Sequence, residues 1–380
     1  MNILFSVSGY LLPGGVQIVT KYLCEGLVER GHSVAVISNT IDGHANNEIV
    51  NGVQITRFKE KDIFKIHTGE KKEFQNHILN QSNDYDCIIT VCAQSFASEW
   101  FWPLIDRVDC KTILYMHGMR EEKVKWRRIH GFKHGIKELI LVPWWRGYFK
   151  RNWKYITRYN QVVHLFMNDS SYNYFTKHGY TKNTVILNSC DDDFFLTDEM
   201  TPSTMPYEIN GKYFICVANY DDNKNQCGLL DAFINSKVRD TNMVFVGSKE
   251  KEYSRKLINM VKESNAKNVK VLINIPRSDT IRLIKNSYAV VLASKSEYFP
   301  LSIVEGMAAG KPFISSDVGI VPMLPGGNIA HNKSEFEYWM EYYNTNQDYV
   351  SEMGNIARQY AIKHFRKQDI ITKFESLIHS

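Results

Sequence analysis

Short runs of apolar residues recur along the chain and alternate with stretches of helical periodicity. Uninterrupted runs of this kind are typical of parallel strands that are buried on both faces of a sheet. At the start of the chain, an apolar run at 3–7 precedes a Pro-Gly-Gly turn at 13–15, a helical pattern follows, and a second apolar run occupies 34–37. The pattern therefore predicts an α/β protein made of repeated strand–helix–strand units.

The predicted strands fall into two series, separated by a polar, proline-containing stretch at 197–207. The strands are predicted at 3–7, 34–37, 53–58, 87–91, 112–116 and 162–166, and then at 213–218, 243–247, 269–273, 289–293 and 313–315. Two such series in 380 residues predict two doubly wound domains. We expect a first domain at 1–195 and a second at 196–360. Helix is predicted over 348–378, and we expect the segment 361–380 to return to the first domain.

Composition excludes several classes of protein. A hydrophobic content of 44% with 23% charged residues argues against disorder, and a net charge of +5 is too mild to indicate a nucleic-acid-binding protein. The seven cysteines include no Cys-x-x-Cys pair, which argues against disulfides or zinc and fits the cytoplasm. No signal peptide is predicted, and no apolar stretch approaches the roughly 20 residues of a membrane-spanning helix.

The segment SEYFPLSIVEGMAAGKP, at 296–312, combines a helix start with two acidic residues. A buried strand at 289–293 leads to Glu297 and a Phe-Pro turn, and a helix is predicted from Leu301 to a stop at Gly310. A helix start after a strand presents free N–H groups and the positive end of the helix dipole, which suits a diphosphate. Glu297 precedes this helix and Glu305 lies about one turn inside it, so their carboxylates can contact different parts of one extended ligand.

This segment resembles the Glu-x7-Glu signature of the family 4 retaining glycosyltransferases. The resemblance implies a GT-B fold, in which two Rossmann-like domains face a central cleft. It also implies that Glu297 lies at the donor sugar and that Glu305 binds the ribose hydroxyls. The other matching positions are Phe299, Leu301, Gly310 and Pro312, and the implied donor site takes in Phe299, Pro300, Leu301 and Ser302, with Pro300 in place of the usual glycine. The alternative is a pair of solvated glutamates that flank a helix.

The segment FICVANYDDNKNQ, at 214–226, is similar to the family's loop after the first strand of the second domain. The family has an arginine in this loop and a lysine five residues later. Lys224 falls on the lysine position, which implies that it neutralises the donor diphosphate and assists its departure. Asn219 falls on the arginine position, so another group must supply that charge. The alternative for Lys224 is an exposed loop lysine.

A third similarity lies at the crossing from the first domain to the second. The segment ILNSCDDDFF, at 186–195, matches the family at Asn188, Asp191 and Phe195 and departs from it at Ser189. We expect this stretch to mark the topology more than the chemistry, since a polar turn would have the same composition.

The first domain offers weaker candidates. Gly14 and Gly15 precede the first helix, where the family has a loop near the donor phosphate, although any tight turn can contain two glycines. His117 follows the strand predicted at 112–116, and the resemblance implies a position close to the transferred sugar. A core or capping histidine is the alternative.

A basic, aromatic insert occupies about 123–155. This mixture suits an anionic membrane surface, although the tryptophans can instead be core residues whose neighbouring cations reach solvent. We rank nucleic acid below lipid because no RNA-binding motif accompanies it. The candidate membrane or acceptor residues are Trp126, Arg127, Arg128, Trp144, Trp145, Lys150 and Arg151.

These features predict a retaining glycosyltransferase that uses a nucleotide diphosphate sugar and no metal. The Asp-x-Asp sequence at 84–86 precedes a strand instead of following one, and 191–193 belongs to the crossing, so both are interpreted as loop carboxylates. The expected acceptor is a saccharide or a lipid-linked saccharide, in cell-surface polysaccharide synthesis at the cytoplasmic membrane face. A GT-B epimerase or hydrolase and a non-catalytic nucleotide-sugar-binding subunit are the alternatives. A nicotinamide enzyme is disfavoured, since the first strand lacks a GxGxxG motif.

Overall fold

The computed structural model describes residues 1–63, 66–119, 132–196 and 206–380. By their packing these residues form two units, Met1–Asn188 with Gln368–Ser380, and Ser189–Lys367. Trp126, Arg127 and Arg128 lie outside the described residues, and so does most of the stretch at 197–207. No helix in the described ranges has the length and apolar character needed to cross a bilayer.

In its described ranges, the first unit contains ten strands and five helices, with a sixth helix added by the C-terminal segment. Its strands are β1 (Asn2–Ser6), β2 (Ser33–Asn39), β3 (Asn47–Val50), β4 (Val53–Phe58), β5 (Glu60–Ile63), β6 (Ile66–Gly69), β7 (Cys87–Val91), β8 (Lys111–Tyr115), β9 (Gln161–His164) and β10 (Asn183–Val185). Its helices are α1 (Gly15–Glu29), α2 (Lys71–Gln81), α3 (Phe96–Glu99), α4 (Phe132–Ile156) and α5 (Ser170–Lys177).

Eight of these strands form one sheet in the order β10-β9-β8-β7-β1-β2-β4-β3. All neighbours in it are parallel except β3 and β4, while β5 and β6 form a separate antiparallel pair. The strand order changes direction between β1 and β7, as in a doubly wound fold. All five residues of β7 are buried, which explains its uninterrupted apolar sequence.

The second unit repeats this plan. Its strands are β11 (Tyr213–Val217), β12 (Asn242–Gly247), β13 (Val269–Ile273), β14 (Ala289–Leu292), β15 (Phe313–Ser315) and β16 (Gly327–Ile329). Its helices are α6 (Gln226–Asn235), α7 (Glu252–Glu263), α8 (Arg277–Asn286), α9 (Leu301–Ala308), α10 (Lys333–Thr345) and α11 (Gln347–His364). The sheet is wholly parallel, in the order β13-β12-β11-β14-β15-β16.

The strands at 53–58, 87–91, 269–273 and 313–315 have the predicted bounds, and the other predicted strands are displaced by one or two residues at their ends. Five strands are absent from the prediction: β3, β5, β6, β10 and β16. They were missed because their sequences contain no apolar run. Each has only three or four residues, and all of these residues are exposed or half-buried.

The continuous helix predicted at 348–378 is wrong, because α11 is followed by a separate final helix, α12 (Lys367–His379). The break occurs at Phe365, whose φ of −122° leaves the helical range and whose ring packs against Phe299 at 6.0 Å between centroids. From Gln368 onward, α12 belongs to the first unit. Its Phe374 is buried against Phe5 and Tyr115, with ring centroids 6.1 and 5.3 Å away.

Candidate functional site

The second sheet reverses its strand order between β11 and β14. In open α/β sheets, ligands bind outside the carboxyl ends of the strands at such a reversal. Lys224 lies in the loop after β11, and Glu297 lies in the loop after β14. We call residues 218–225 and 293–300 the switch-point loops.

Hydrogen bonds join the two switch-point loops. The Lys295 N–H donates to the carbonyl of Asn223 at 2.7 Å, and the Asn223 side chain donates to the carbonyl of Ser296 at 2.9 Å. The Lys295 ammonium also pairs with Asp222 at 2.8 Å. The loops are therefore held together before any ligand is bound.

The predicted catalytic pair is brought together at this junction. The Lys224 ammonium donates to Oε1 of Glu297, and the two side chains are only 22% and 13% exposed. The backbone N–H of Lys224 donates to the Asp221 carboxylate at 3.0 Å, which anchors the lysine's own turn. The alternative of a free, exposed loop lysine is therefore wrong.

The start of α9 adds unpaired donors beside Glu297. The helix begins at Leu301 as predicted, and Gly310 follows it with a left-handed φ of +73°. Within the described chain, the N–H groups of Leu301 and Ser302 have no hydrogen-bond acceptor. Such groups carry the positive end of the helix dipole and can bind an anion.

Phe299 and Pro300, two predicted donor-site residues, are buried. Because the Phe299 ring packs against Phe365, it anchors the turn from inside the protein. Pro300 is the N-cap residue of α9, and its carbonyl accepts from Ile303 at 3.2 Å. The two residues therefore shape the turn that presents Glu297 and the helix start.

Gly319, which the sequence analysis missed, supports the same turn. The loop after β15 runs alongside it, and the Ile320 N–H donates to the carbonyl of Tyr298 at 3.0 Å. Gly319 has a φ of +55°, and a Cβ there would lie 2.1 Å from that carbonyl oxygen. The sequence signal for it is a glycine shortly after a buried strand.

Glu305 is buried at 6% exposure and is bound by Arg277, the first residue of α8. The guanidinium Nη2 of Arg277 lies 2.5 Å from Glu305 Oε1 and 2.9 Å from Asp191 Oδ2. Burial raises the pKa of Glu305 above its usual value, and the charge of Arg277 opposes that rise. The interpretation of Glu305 as a solvated glutamate is therefore wrong, whereas Asp191 is a partly exposed loop carboxylate, as predicted, and is paired with Arg277.

The sequence analysis did not single out Arg277. The sequence feature that could have identified it is a Pro-Arg pair just beyond the strand at 269–273. A residue in this position is expected at the same sheet edge as Lys224 and Glu297, because the carboxyl ends of parallel strands share one edge. Asn219, at the position where the family has arginine, accepts instead from the Ser248 hydroxyl at 2.6 Å. The cations bound to acidic side chains of this edge are Lys224, Lys295 and Arg277.

In the first unit, Gly14 is the N-cap residue of α1 and Gly15 is its first residue. A Cβ on Gly15 would meet no described atom within 4 Å, so packing does not require glycine there. His117 follows β8, with its ring 4.2 Å from that of Tyr115. Burial lowers the pKa of His117 to about 3, which keeps the ring neutral, and its buried Nε2 has no partner among described atoms.

The described part of the basic insert divides into core and surface residues. Trp145 is only 5% exposed and packs in the core of the first unit, beside the half-buried Trp144 and with Tyr148. The prediction of Trp145 as a lipid-contacting residue is corrected accordingly, because its ring is inside the protein. Lys150 and Arg151 are exposed on α4.

Of the carboxylates considered as metal ligands, those of Asp86 and Asp191 have protein partners. Asp86 accepts the Asn2 N–H at 2.7 Å, and the main-chain carbonyl of Asp84 accepts from the Asn2 side chain at 2.9 Å. In the described ranges, a set of side chains close enough to share an ion is His32, Glu375 and His379. Glu375 in that set already binds Arg30 at 2.6 Å and His32 at 2.7 Å, which ties α12 to the first unit.

Comparison with known proteins gives consistent results. Residues 13–166 match the family described as Glycosyltransferase Family 4, and residues 207–326 match the family described as Glycosyl transferases group 1. No curated protein matches the chain in sequence.

Solved structures match over the whole chain. Sucrose-phosphate synthase from Thermosynechococcus elongatus has a TM-score of 0.76 at 14% identity, covering 100% of this chain and 98% of its own. HepE of Anabaena, in complex with UDP, has a TM-score of 0.75 at 15% identity, covering 100% of both chains. WaaG, a glycosyltransferase involved in lipopolysaccharide biosynthesis, has a TM-score of 0.69 at 14% identity and 99% coverage of both chains.

These likenesses establish the fold, and the two family matches lie on the two parallel-sheet units. The predicted α/β class and the predicted family are confirmed. The chain belongs to the family 4 glycosyltransferases and has their GT-B fold.

Proposed function

We propose that the protein transfers a sugar from a nucleoside diphosphate sugar, with retention of anomeric configuration, and that the donor binds at the carboxyl edge of the second sheet. The observation that carries this proposal is the Lys224–Glu297 pair beside the unpaired N–H groups of Leu301 and Ser302. The same sheet edge thus offers a cation and helix N–H donors to a diphosphate, and a carboxylate to sugar hydroxyls. The complexes of HepE with UDP and UDP-glucose support this donor class.

In the proposed reaction, the acceptor hydroxyl attacks the anomeric carbon on the face from which the diphosphate departs. The departing phosphate oxygen takes the acceptor's proton, so no protein nucleophile is needed. Lys224 and the start of α9 stabilise the charge that develops on the diphosphate, and Glu297 positions the sugar. These groups supply the charge stabilisation without a metal.

The ion pair has a consequence for donor binding. When the donor binds, Lys224 must turn from Glu297 to the diphosphate or contact both. Before that, the ion pair holds the Lys224 ammonium close to the position where the diphosphate would bind.

The neutral imidazole of His117 cannot supply a positive charge near neutral pH, although its free Nε2 can accept or donate a hydrogen bond. We propose that His117 contacts the transferred sugar as a neutral ring.

The proposed acceptor is a saccharide or lipid-linked saccharide of cell-surface polysaccharide synthesis, met at the cytoplasmic membrane face. The role of WaaG in lipopolysaccharide biosynthesis supports this class of acceptor. Exposed Lys150 and Arg151 on α4 supply charges that attract an anionic surface.

A second candidate is a subunit that binds nucleotide sugars without transferring them. The observation that favours it is Asn219, which forms a neutral hydrogen bond with Ser248 where the family has a cation. Such a subunit would bind donor and nucleoside diphosphate normally and release no nucleotide when acceptor is added. A GT-B epimerase or hydrolase would instead consume donor without acceptor.

The test is a calorimetric screen with UDP-, GDP- and ADP-sugars, followed by measurement of nucleotide release. We expect Glu297→Gln to lower turnover by about 100-fold or more while donor Kd changes little, because its contacts strengthen in the transition state. Glu250→Gln is the matched control, since Glu250 is exposed and its ion pair in the described part of the protein is a surface one with Arg255. Failure of every nucleotide sugar to bind would refute the proposed function.

A further inference from the structure

Arg277 links three elements of the second unit through one guanidinium. Its Nη2 contacts Glu305 on α9 at 2.5 Å and Asp191 in the crossing segment at 2.9 Å. The guanidinium carbon also lies over the Phe194 ring, 5.4 Å from its centroid. A cation at the start of α8 therefore has its position fixed by two carboxylates and an aromatic face.

Arg277 uses one oxygen of Glu305 and leaves the other available. Glu305 Oε1 accepts from Arg277, whereas Oε2 has no hydrogen-bond partner in the described part of the protein. Oε2 is not among the buried, unpartnered atoms of the described chain, so a ligand that supplies hydrogen-bond donors can reach it. Two adjacent hydroxyls would supply such donors.

The charge state of Glu305 depends on Arg277. Burial raises the pKa of this carboxyl, and the largest opposing effect is the nearby charge of Arg277. The other ionisable groups facing the pair are Asp191 and the buried thiol of Cys190, neither of which favours a second negative charge. Arg358, on α11, uses its guanidinium on the carbonyls of Ala308 and Phe195 instead.

We infer that Arg277 is a positioning residue for ribose recognition: it holds Glu305 as an oriented carboxylate whose Oε2 accepts from the donor's ribose hydroxyls. This inference rests on the proposed function, because it concerns the nucleoside of the same donor. It extends the site beyond Glu305 to the first residue of α8, which follows a third strand, β13, at the same sheet edge. A carboxylate accepts from two hydroxyls at once, whereas a protonated carboxyl loses part of that capacity.

The competing explanation is a structural clamp, in which Arg277 only ties the crossing segment to α8 and α9. The two roles differ in what they do to the preference for ribose over 2′-deoxyribose. Loss of a clamp weakens binding of both nucleotides alike, whereas loss of the positioning role weakens the ribonucleotide selectively.

The experiment measures, by calorimetry, the Kd of UDP, GDP or ADP, whichever binds best, and of its 2′-deoxy analogue. We expect the wild-type protein to prefer the ribonucleotide by about tenfold, the loss expected for one hydrogen bond to a charged group. In Arg277→Met we expect this preference to fall towards one. An unchanged preference in that variant, or equal weakening of both nucleotides, would overturn the inference.

Three further variants separate the explanations. Arg277→Lys retains a cation and should recover part of the ribose preference, while Asp191→Asn should keep the preference because the Arg277–Glu305 contact remains. Arg255→Met is the matched control, because the one ion pair of Arg255 within the described ranges is an exposed one with Glu250. If Asp191→Asn lost the preference as fully as Arg277→Met, the clamp would be the correct explanation.

The pH dependence gives an independent readout. In Arg277→Met, the pKa of Glu305 should lie further above its usual value because the opposing charge of Arg277 is gone, so ribonucleotide binding should recover at a higher pH than in the wild-type protein. Identical pH profiles of ribonucleotide binding in the two proteins would show that Arg277 does not set the charge of Glu305. A wild-type protein that binds no nucleoside diphosphate would overturn the proposed function together with this inference, whereas normal binding with an unaltered Arg277→Met preference would overturn the inference alone.

Discussion

At the scale of single residues, the site depends on close approaches that few side chains permit. Gly319 is the clearest case, since both its left-handed φ and the nearby Tyr298 carbonyl exclude a side chain. The Tyr298 carbonyl belongs to the turn that follows Glu297. A substitution at Gly319 should therefore act on the Glu297 turn without touching its carboxylate.

We expect Gly319→Ala to displace this turn and to lower turnover by roughly tenfold or more, since small errors in placing a reacting group are costly. The free energy of unfolding should also fall by about 1–3 kcal/mol, because a β-carbon is forced into a strained conformation. Activity and urea denaturation measure the two effects. Gly179→Ala is the matched control, because Gly179 also has a positive φ, of +79°, but a Cβ there would meet no described atom.

Individual residues also show which parts of the site the sequence could predict and which it could not. Lys224, Glu297 and Glu305 are recognised by type and spacing, and the structure pairs each of them with an oppositely charged group. Arg277 was missed because nothing local marks an arginine that will contact a carboxylate 28 residues away. Trp145 was misassigned because the sequence around it mixes basic and aromatic residues, whereas its neighbours in space are core residues.

At the scale of elements, α12 shows how a terminal helix is held in the first unit. Apolar contacts of Phe374 are supplemented by Glu375, which binds His32 and Arg30. Hydrogen bonding to His32, followed by that to Arg30, lowers the pKa of Glu375. The ionised carboxylate therefore helps to keep α12 docked.

A lowered folded-state pKa gives stability that is fully present above the unfolded-state pKa and is lost as the pH falls through the folded-state value. We expect α12 docking to weaken in acid for this reason. Glu375→Gln should lower the free energy of unfolding near neutral pH by about 0.5–1 kcal/mol, since the pair is partly exposed, and should flatten the acid limb of the stability curve. Thermal melts across pH test this, with Glu352→Gln on α11 as a control at an exposed glutamate.

Equal acid sensitivity in Glu375→Gln and the unmodified protein would contradict this role of Glu375.

The break between α11 and α12 is a second feature of these elements that the sequence pattern did not predict. The periodicity of 348–378 does not show that Phe365 leaves the helix to pack on Phe299, because helical propensity is local and that contact is not.

At the scale of the whole molecule, the two parallel-sheet units divide the described residues between them. The proposed donor groups lie in the second unit, and the exposed basic residues of α4 lie in the first. Each unit can therefore be tested separately by substitutions in the intact chain.

We expect the protein to bind vesicles that contain anionic lipid. We expect Lys150→Gln with Arg151→Gln to weaken that binding by roughly 30-fold at low salt, since each charge near the surface contributes about 1 kcal/mol. Co-sedimentation over a range of salt concentrations measures it, since added salt should reduce the effect. Arg255→Gln with Lys256→Gln is the matched control, an adjacent exposed pair on α7. Vesicle binding that changes neither with lipid charge nor with the Lys150 and Arg151 substitutions would count against a membrane role for α4.

The sequence by itself determined the α/β class, most strands of both sheets and the start of α9, because burial on two faces and helix punctuation leave local patterns. Only the tertiary structure decided which side chains meet at the sheet edge. Arg277 reaches Asp191 across 86 residues of chain, and Lys224 reaches Glu297 across 73. These contacts arise from the order in which parallel strands are laid side by side, which no local pattern of hydrophobic residues specifies.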